Sequence, residues 1–101
     1  MRAIHVVHLD KHRPALILTR STAVLSLRKI TVAPITSTIR GLATEVPVGP
    51  GNGLDHDCVI SLDNTLTVPR EALGRAIGFL LADQEPLLTA AIHAAFDLDD
   101  L

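Results

Sequence analysis

Aromatic and sulfur chemistry are almost missing from this chain of 101 residues, which has no Trp, no Tyr, two Phe and a single cysteine, Cys58. One cysteine excludes an intramolecular disulfide. It also leaves any thiolate metal site to recruit its other ligands from His or carboxylate, so a disulfide scaffold and a zinc ribbon are both excluded. No apolar run nears the about 20 residues that a membrane span needs, and no continuous hydrophobic stretch follows Arg2 as it would in a secretion signal. The chain is therefore expected to be cytoplasmic and to keep away from membranes. At 10.8 kDa it has no room for two cores and reads as one domain over residues 1–101. It is nevertheless well above the about 40 residues below which staples or metals become necessary. A hydrophobic share of 48% points to a packed, aliphatic interior and excludes disorder.

The net charge of −2 hides an asymmetry. Arg2, Lys11, Arg13, Arg20, Arg28, Lys29 and Arg40 stand in residues 1–40 against Asp10 alone, whereas residues 41–101 carry ten acids against Arg70 and Arg75. Such a split suits a surface that meets a polyanion or an oppositely charged protein. A solvated surface of mixed sign is the plainer reading of charge alone.

Short apolar runs separated by turns occupy the first eighty or so residues, the rhythm of a small antiparallel barrel or sandwich rather than of alternating strands and helices. Strands are predicted over residues 4–9 and 14–19, joined as a hairpin, then over 29–36, 44–48, 58–63 and 75–81. Pro34 lacks an N–H, so it should lie at an edge or a bulge of its strand. A single helical turn is predicted at residues 69–72 and a short helix at 21–27. Toward the C-terminus Leu87, Leu88, Ala91, Ile92, Ala95 and Phe96 form one helical stripe that should cover the barrel, with Asp83 as N-cap. The fold class is mainly β with short helices.

Three groups of residues bear chemistry. His8, Asp10 and His12 would share a strand face and offer three N/O ligands, but Lys11 and Arg13 flank them and the strand should end near Asp10, so solvated histidines are the better reading. Cys58 beside His56 has the elements of an activated thiol, yet alternation sets Cys58, Ile60 and Leu62 on one face, as expected of a core cysteine. The third group is Arg13-Pro14 opening the second strand, Thr36 and Ser37 closing the third, and Ser61 with Asp63 near the end of the fifth, on the face opposite Cys58. A guanidinium matches a phosphate in two places and hydroxyls hold the remaining oxygens, so these are parts for phosphodiester chemistry. Capped strand ends with a surface Arg are the plain alternative.

The ordered segments Arg13-Pro14-Ala15-Leu16-Ile17-Leu18-Thr19, Val32-Ala33-Pro34-Ile35-Thr36-Ser37 and Cys58-Val59-Ile60-Ser61-Leu62-Asp63-Asn64 resemble the MazF/PemK family of toxins from toxin–antitoxin pairs. The likeness runs from Ile4-His5 to the closing helix. It implies an SH3-like antiparallel barrel with a C-terminal helix, a homodimer, and a sequence-selective endoribonuclease (an mRNA interferase) that cuts single-stranded RNA without metal or other cofactor. On this resemblance Arg13 stabilises the charged phosphorane and can protonate the leaving oxygen, Thr36 holds the scissile phosphate, and Asp63 is an acid of the active site. Ser61 stands where some members carry an Arg. The loop before Arg13 is shorter than usual and lacks the customary base, for which His12 or Asp10 is the expected substitute. Arg28, Lys29, Ser37, Arg40 and Ser61 are the expected RNA contacts, while Phe79 and Phe96 are expected in the core. The partner implied is an antitoxin with an acidic, MazE-like tail lying along the basic groove. A related group of the same fold, CcdB, poisons a topoisomerase instead, so a protein-binding toxin is the rival, and a barrel that binds nucleic acid without cutting it is a third reading.

Overall fold

The computed structural model describes residues 2–98. Seven strands, β1 (Ala3–His8), β2 (His12–Ile17), β3 (Lys29–Thr36), β4 (Glu45–Val48), β5 (Cys58–Ser61), β6 (Leu66–Pro69) and β7 (Leu73–Phe79), precede one helix, α1 (Glu85–Phe96). All pairings are antiparallel, in the order β4-β5-β3-β2-β1-β7, with β6 also laid against β3. The sheet curls into a half-barrel, as the turn rhythm predicts.

β1 and β2 form the predicted hairpin, closing from the His8↔His12 pair through residues 9–11. β3 is rich in β-branched residues and pairs with three strands: with β2 along one side, and on the other with β6 through Val32 and with β5 from Ile35. Pro34 falls between the last residue paired to β6 and the first paired to β5. It therefore lies in a central strand, neither at an edge nor at a bulge, and its missing N–H meets a gap in the ladder on that side.

Alternation distributes the apolar residues over both faces of the sheet. Ile4, Leu16, Ala33, Ile35, Val46 and Ile60 join Leu88 and Ala91 of α1 in the larger cluster, and Val7, Ala15, Ile17, Ile30, Val32 and Val68 make the second. The helical stripe is inward at Leu88 and Ala91 and half-buried at Ile92 and Ala95, whereas Leu87 lies on the rim. Phe79 and Phe96, expected inside, are 49% and 54% exposed. Phe79 closes β7, an edge strand, and Phe96 is the last residue of α1, so each stands where the packed layer has run out.

Other local expectations are corrected by the backbone. Residues 21–27 turn without forming a helix. The strand predicted at 58–63 ends at Ser61 and gives way to a 3-10 turn, Leu62–Asn64, so the expected alternation of a polar face, Ser61 and Asp63, over a packed one does not hold: Val59 and Ser61 are buried along with Cys58 and Ile60. The strand predicted at 75–81 is β7, two residues earlier. β6 was not expected, and the helical turn predicted at 69–72 is the 3-10 turn Arg70–Ala72. Asp83 sits inside a 3-10 turn, Ala82–Gln84, and Gln84 is the residue that precedes α1. Leu80, just beyond β7, is 1% exposed and belongs to the core.

One buried amide ties the helix side to the sheet. Asn52 Nδ2 donates to Phe79 O at 2.9 Å and to Gln84 Oε1 at 2.7 Å, while its Oδ1 accepts from Gly49 N at 3.1 Å. The chain at Asn52 approaches β7 so closely that a Cβ at Gly78 would stand 1.8 Å from Asn52 O. Asn52→Ala leaves the Gly49 N–H and the Phe79 carbonyl without partners, and thermal unfolding is expected to show a loss of about 1–3 kcal/mol.

Candidate active site

The C-terminal ends of β3 and β5 and the N-terminal end of β2 meet at one open cleft of about 650 Å³. Arg13, Thr36, Thr38, Arg40, Glu45, Ser61 and Asp63 line it, with Leu9, Leu42 and Leu66 among its apolar walls. The register explains the meeting. Ala15 pairs with Pro34, and continuing that ladder sets Arg13 level with Thr36; Thr36 pairs with Val59, and continuing that one sets Ser61 level with Pro34. Residues distant in the chain thus come to one place through two hydrogen-bonded ladders.

Each polar group in the cleft is held in a particular way. Thr36 Oγ1 accepts from Thr38 N at 3.1 Å, so its hydroxyl proton is left to donate outward. Ser61 Oγ accepts from Asn64 Nδ2 at 2.8 Å. Asp63 Oδ2 accepts from Thr44 Oγ1 at 2.7 Å, which leaves Oδ1 without a protein donor among the described residues. The only ion pair among the described residues is Arg2–Glu85, elsewhere on the surface. Arg13 and Arg40 therefore face the cleft as unpaired guanidiniums, suited to an anion.

Sequence reasoning missed Glu45 and Thr44. Glu45 Oε1 accepts from the backbone N–H groups of Arg40, Gly41 and Leu42 at 3.2, 2.9 and 3.2 Å. The local signal was a Gly with a Glu four residues later, since Gly41 has φ 72° and only that turn aims three N–H groups at one carboxylate.

Other expected residues lie apart. His12 faces a neighbouring cleft with Asp55, His56 and Arg75, and Arg13 stands at the boundary of the two. The rings of His8 and His12 pack with centroids 4.0 Å apart, and Asp10 Oδ1 turns to the Lys11 N–H. Among the described residues no three His, Cys, Asp or Glu side chains are gathered to hold a metal. Arg28 and Lys29 are at the opposite end of β3 from Thr36, about 23–26 Å along the strand at about 3.3 Å per residue. Ser37 is exposed beside the cleft without lining it. No helix among the described residues is long and apolar enough to cross a membrane.

Residues 6–96 match the family of PemK-like, MazF-like toxins of type II toxin–antitoxin systems. The chain belongs to that family. It is 61% identical over 99 residues to a Mycobacterium tuberculosis protein named endoribonuclease MazF3, covering 98% of this chain and 96% of that one. A second relative from the same organism, named probable endoribonuclease MazF5, is 35% identical over 86 residues, 84% of this chain and 79% of its own. The solved structure of Mycobacterium tuberculosis toxin MazF-mt6 superposes with a TM-score of 0.95 at 60% identity, over 98% of this chain and all of that one. The family membership agrees with the ordered Arg-Pro, Pro-Ile-Thr and Ser-Leu-Asp segments that the cleft brings together.

Cys58 takes no part in the cleft built around Arg13 and Thr36. It is buried, and that burial, with the Asp57 and Asp55 carboxylates nearby, pushes its thiol pKa up. Because the folded chain holds this proton more tightly than the unfolded one, rising alkaline pH weakens folding through Cys58. A thiol-specific reagent at mildly alkaline pH is expected to label the native protein far more slowly than the denatured chain.

Proposed function

We propose that this chain is the toxin of a type II pair and acts as a sequence-selective, metal-independent endoribonuclease on single-stranded RNA. The observation that carries this reading is the cleft itself: two unpaired guanidiniums, Arg13 and Arg40, the hydroxyls of Thr36, Thr38 and Ser61, and the carboxylates of Asp63 and Glu45, the latter taken up by backbone N–H groups, around a space open to a strand. The names of the relatives point the same way.

In the mechanism that fits, a base removes the ribose 2′-hydroxyl proton, O2′ attacks the adjacent phosphorus, and the bond from phosphorus to O5′ breaks. The products are a 2′,3′-cyclic phosphate and a 5′-hydroxyl whose proton comes from solvent. Arg13 neutralises charge that builds on the phosphoryl oxygens, and the Thr36 hydroxyl donates to one of them. Asp63 is the candidate base because it alone among the expected acids and bases lines the cleft with Arg13 and Thr36, with one carboxylate oxygen held by Thr44 and the other open. Since the nucleophile belongs to the RNA, DNA binds without being cut.

Selectivity rests on backbone groups, hydroxyls and Arg40 rather than on stacking, because no aromatic ring lines the cleft. The antitoxin is expected to lay an acidic tail along the same cations. Exposed Phe79, Leu81, Leu87 and Phe96 offer apolar surface for a homodimer. A toxin that meets RNA and antitoxin in this way works in the cytoplasm.

Cleavage of a long single-stranded RNA in the presence of EDTA, with the new ends mapped, tests the reading. The wild type is expected to cut at a short motif and leave cyclic phosphates. Arg13→Ala and Asp63→Asn should each lose about a hundredfold or more in kcat, and His12→Ala should stay within a few-fold of wild type. A protein that is toxic in cells yet leaves the RNA intact would instead be directed at a protein target.

A further inference from the structure

Glu45 is an acid in a cleft read as binding a polyanion, which on charge alone is unfavourable. Its carboxylate, however, makes no ion pair with the described cations. Oε1 is taken up by three successive backbone N–H groups, those of Arg40, Gly41 and Leu42, and the Arg40 guanidinium is left without an ion pair among the described residues. Gly41 supplies the left-handed conformation the turn requires, with φ 72°. Glu45 opens β4 and pairs with Ser61 of β5, and Leu62 N donates to Thr44 O at 3.0 Å. The adjacent Thr44 holds Asp63 by its hydroxyl. Two neighbouring residues, Thr44 just before β4 and Glu45 its first, thus connect the segment carrying Arg40 to the turn carrying Asp63.

We propose that Glu45 is a positioning residue for RNA binding: its carboxylate, seated in the backbone of residues 40–42, aims the Arg40 side chain at the strand in the cleft. The proposal rests on the RNA reading above. Glu45 itself touches neither the reacting atoms nor the phosphate, and acts through Arg40.

The sign of the effect separates this role from a purely electrostatic one. Removing a negative charge from a polyanion site tightens binding if charge is all that matters; losing the aim of Arg40 weakens it. The probe is a single-stranded RNA that the wild type cuts, 2′-O-methylated throughout so that attack is impossible, with affinity measured across a salt series. Glu45→Ala is expected to weaken binding about tenfold and to lower the slope of log affinity against log salt by about 0.7, the loss of one cation contact on a single strand. Arg40→Ala should do the same, and the double variant no more, because the second change finds its contact already lost.

Glu45→Gln keeps the acceptor oxygen and should bind at least as tightly as wild type. Gly41→Ala distorts the turn without a clash, since nothing lies within 4 Å of its Cβ position, and should weaken binding as Glu45→Ala does. On the unmodified RNA, Glu45→Ala should raise KM about tenfold and leave kcat within twofold. Tighter binding by Glu45→Ala, or additive losses in the double variant, would overturn the proposal. Wild type that binds the methylated strand but cuts no RNA would overturn the nuclease reading and leave the Arg40 coupling to be read from affinity. Failure to bind any strand would overturn both.

Discussion

The structure depends on β3 being paired along its whole length by three different strands. One side is held by β2; the other passes from β6 to β5 at Ala33 and Pro34, where neither provides a partner. The sheet curls across this changeover, and alternation along its strands divides the apolar residues between two clusters, one packed with α1 and one on the opposite face. It also determines where the cleft lies. The strand ends that converge just beyond the changeover are those carrying Arg13, Thr36 and Ser61.

The core and the cleft follow opposite rules for polar groups. Away from the cleft, demands are met internally: Asn52 and Gln84 satisfy backbone at Gly49, Leu81 and Phe79, and Arg2 pairs with Glu85. In the cleft the acids are already engaged, Asp63 by a hydroxyl and Glu45 by backbone N–H groups, while the two guanidiniums are not. That division keeps cations from being neutralised by their own neighbours, so the charge available to a ligand exceeds what the net charge of −2 suggests. It also accounts for the asymmetry between the halves of the chain only in part. Arg13 and Arg40 face the cleft, whereas Arg28 and Lys29 stand at the far end of β3 and Arg2 is paired.

Strong local patterns were readable. The first hairpin, the eight residues of β3 and the inward stripe of α1 follow from β-branched content and from period. β6 was not readable, because four residues between 3-10 turns, ending in Pro69, carry little strand signal; the ladder with Lys29–Val32 makes them a strand. Extending the fifth strand through Asp63 placed Ser61 and Asp63 by alternation, but the chain turns at Leu62. Both residues reach the cleft by another route, Ser61 from the strand end and Asp63 from the turn. Phe79 and Phe96 show the limit of composition: hydrophobic character does not say whether an element still has a partner layer at its end.

By itself the sequence determined the residue types able to do phosphodiester chemistry, their order along the chain, and the strands and helix that carry most of them, since these follow from side-chain chemistry and from periods of two and 3.6 residues. Tertiary structure alone decided which of them meet. Arg13 and Thr36 are brought level by the β2–β3 register, His12, the residue before Arg13 on β2, lines the adjoining cleft, and Glu45 is recruited by a turn that only folding closes. The reason is physical. Chemistry at a site depends on distances of a few ångströms between residues far apart in the chain, and those distances are fixed by ladders and packing that no local pattern contains.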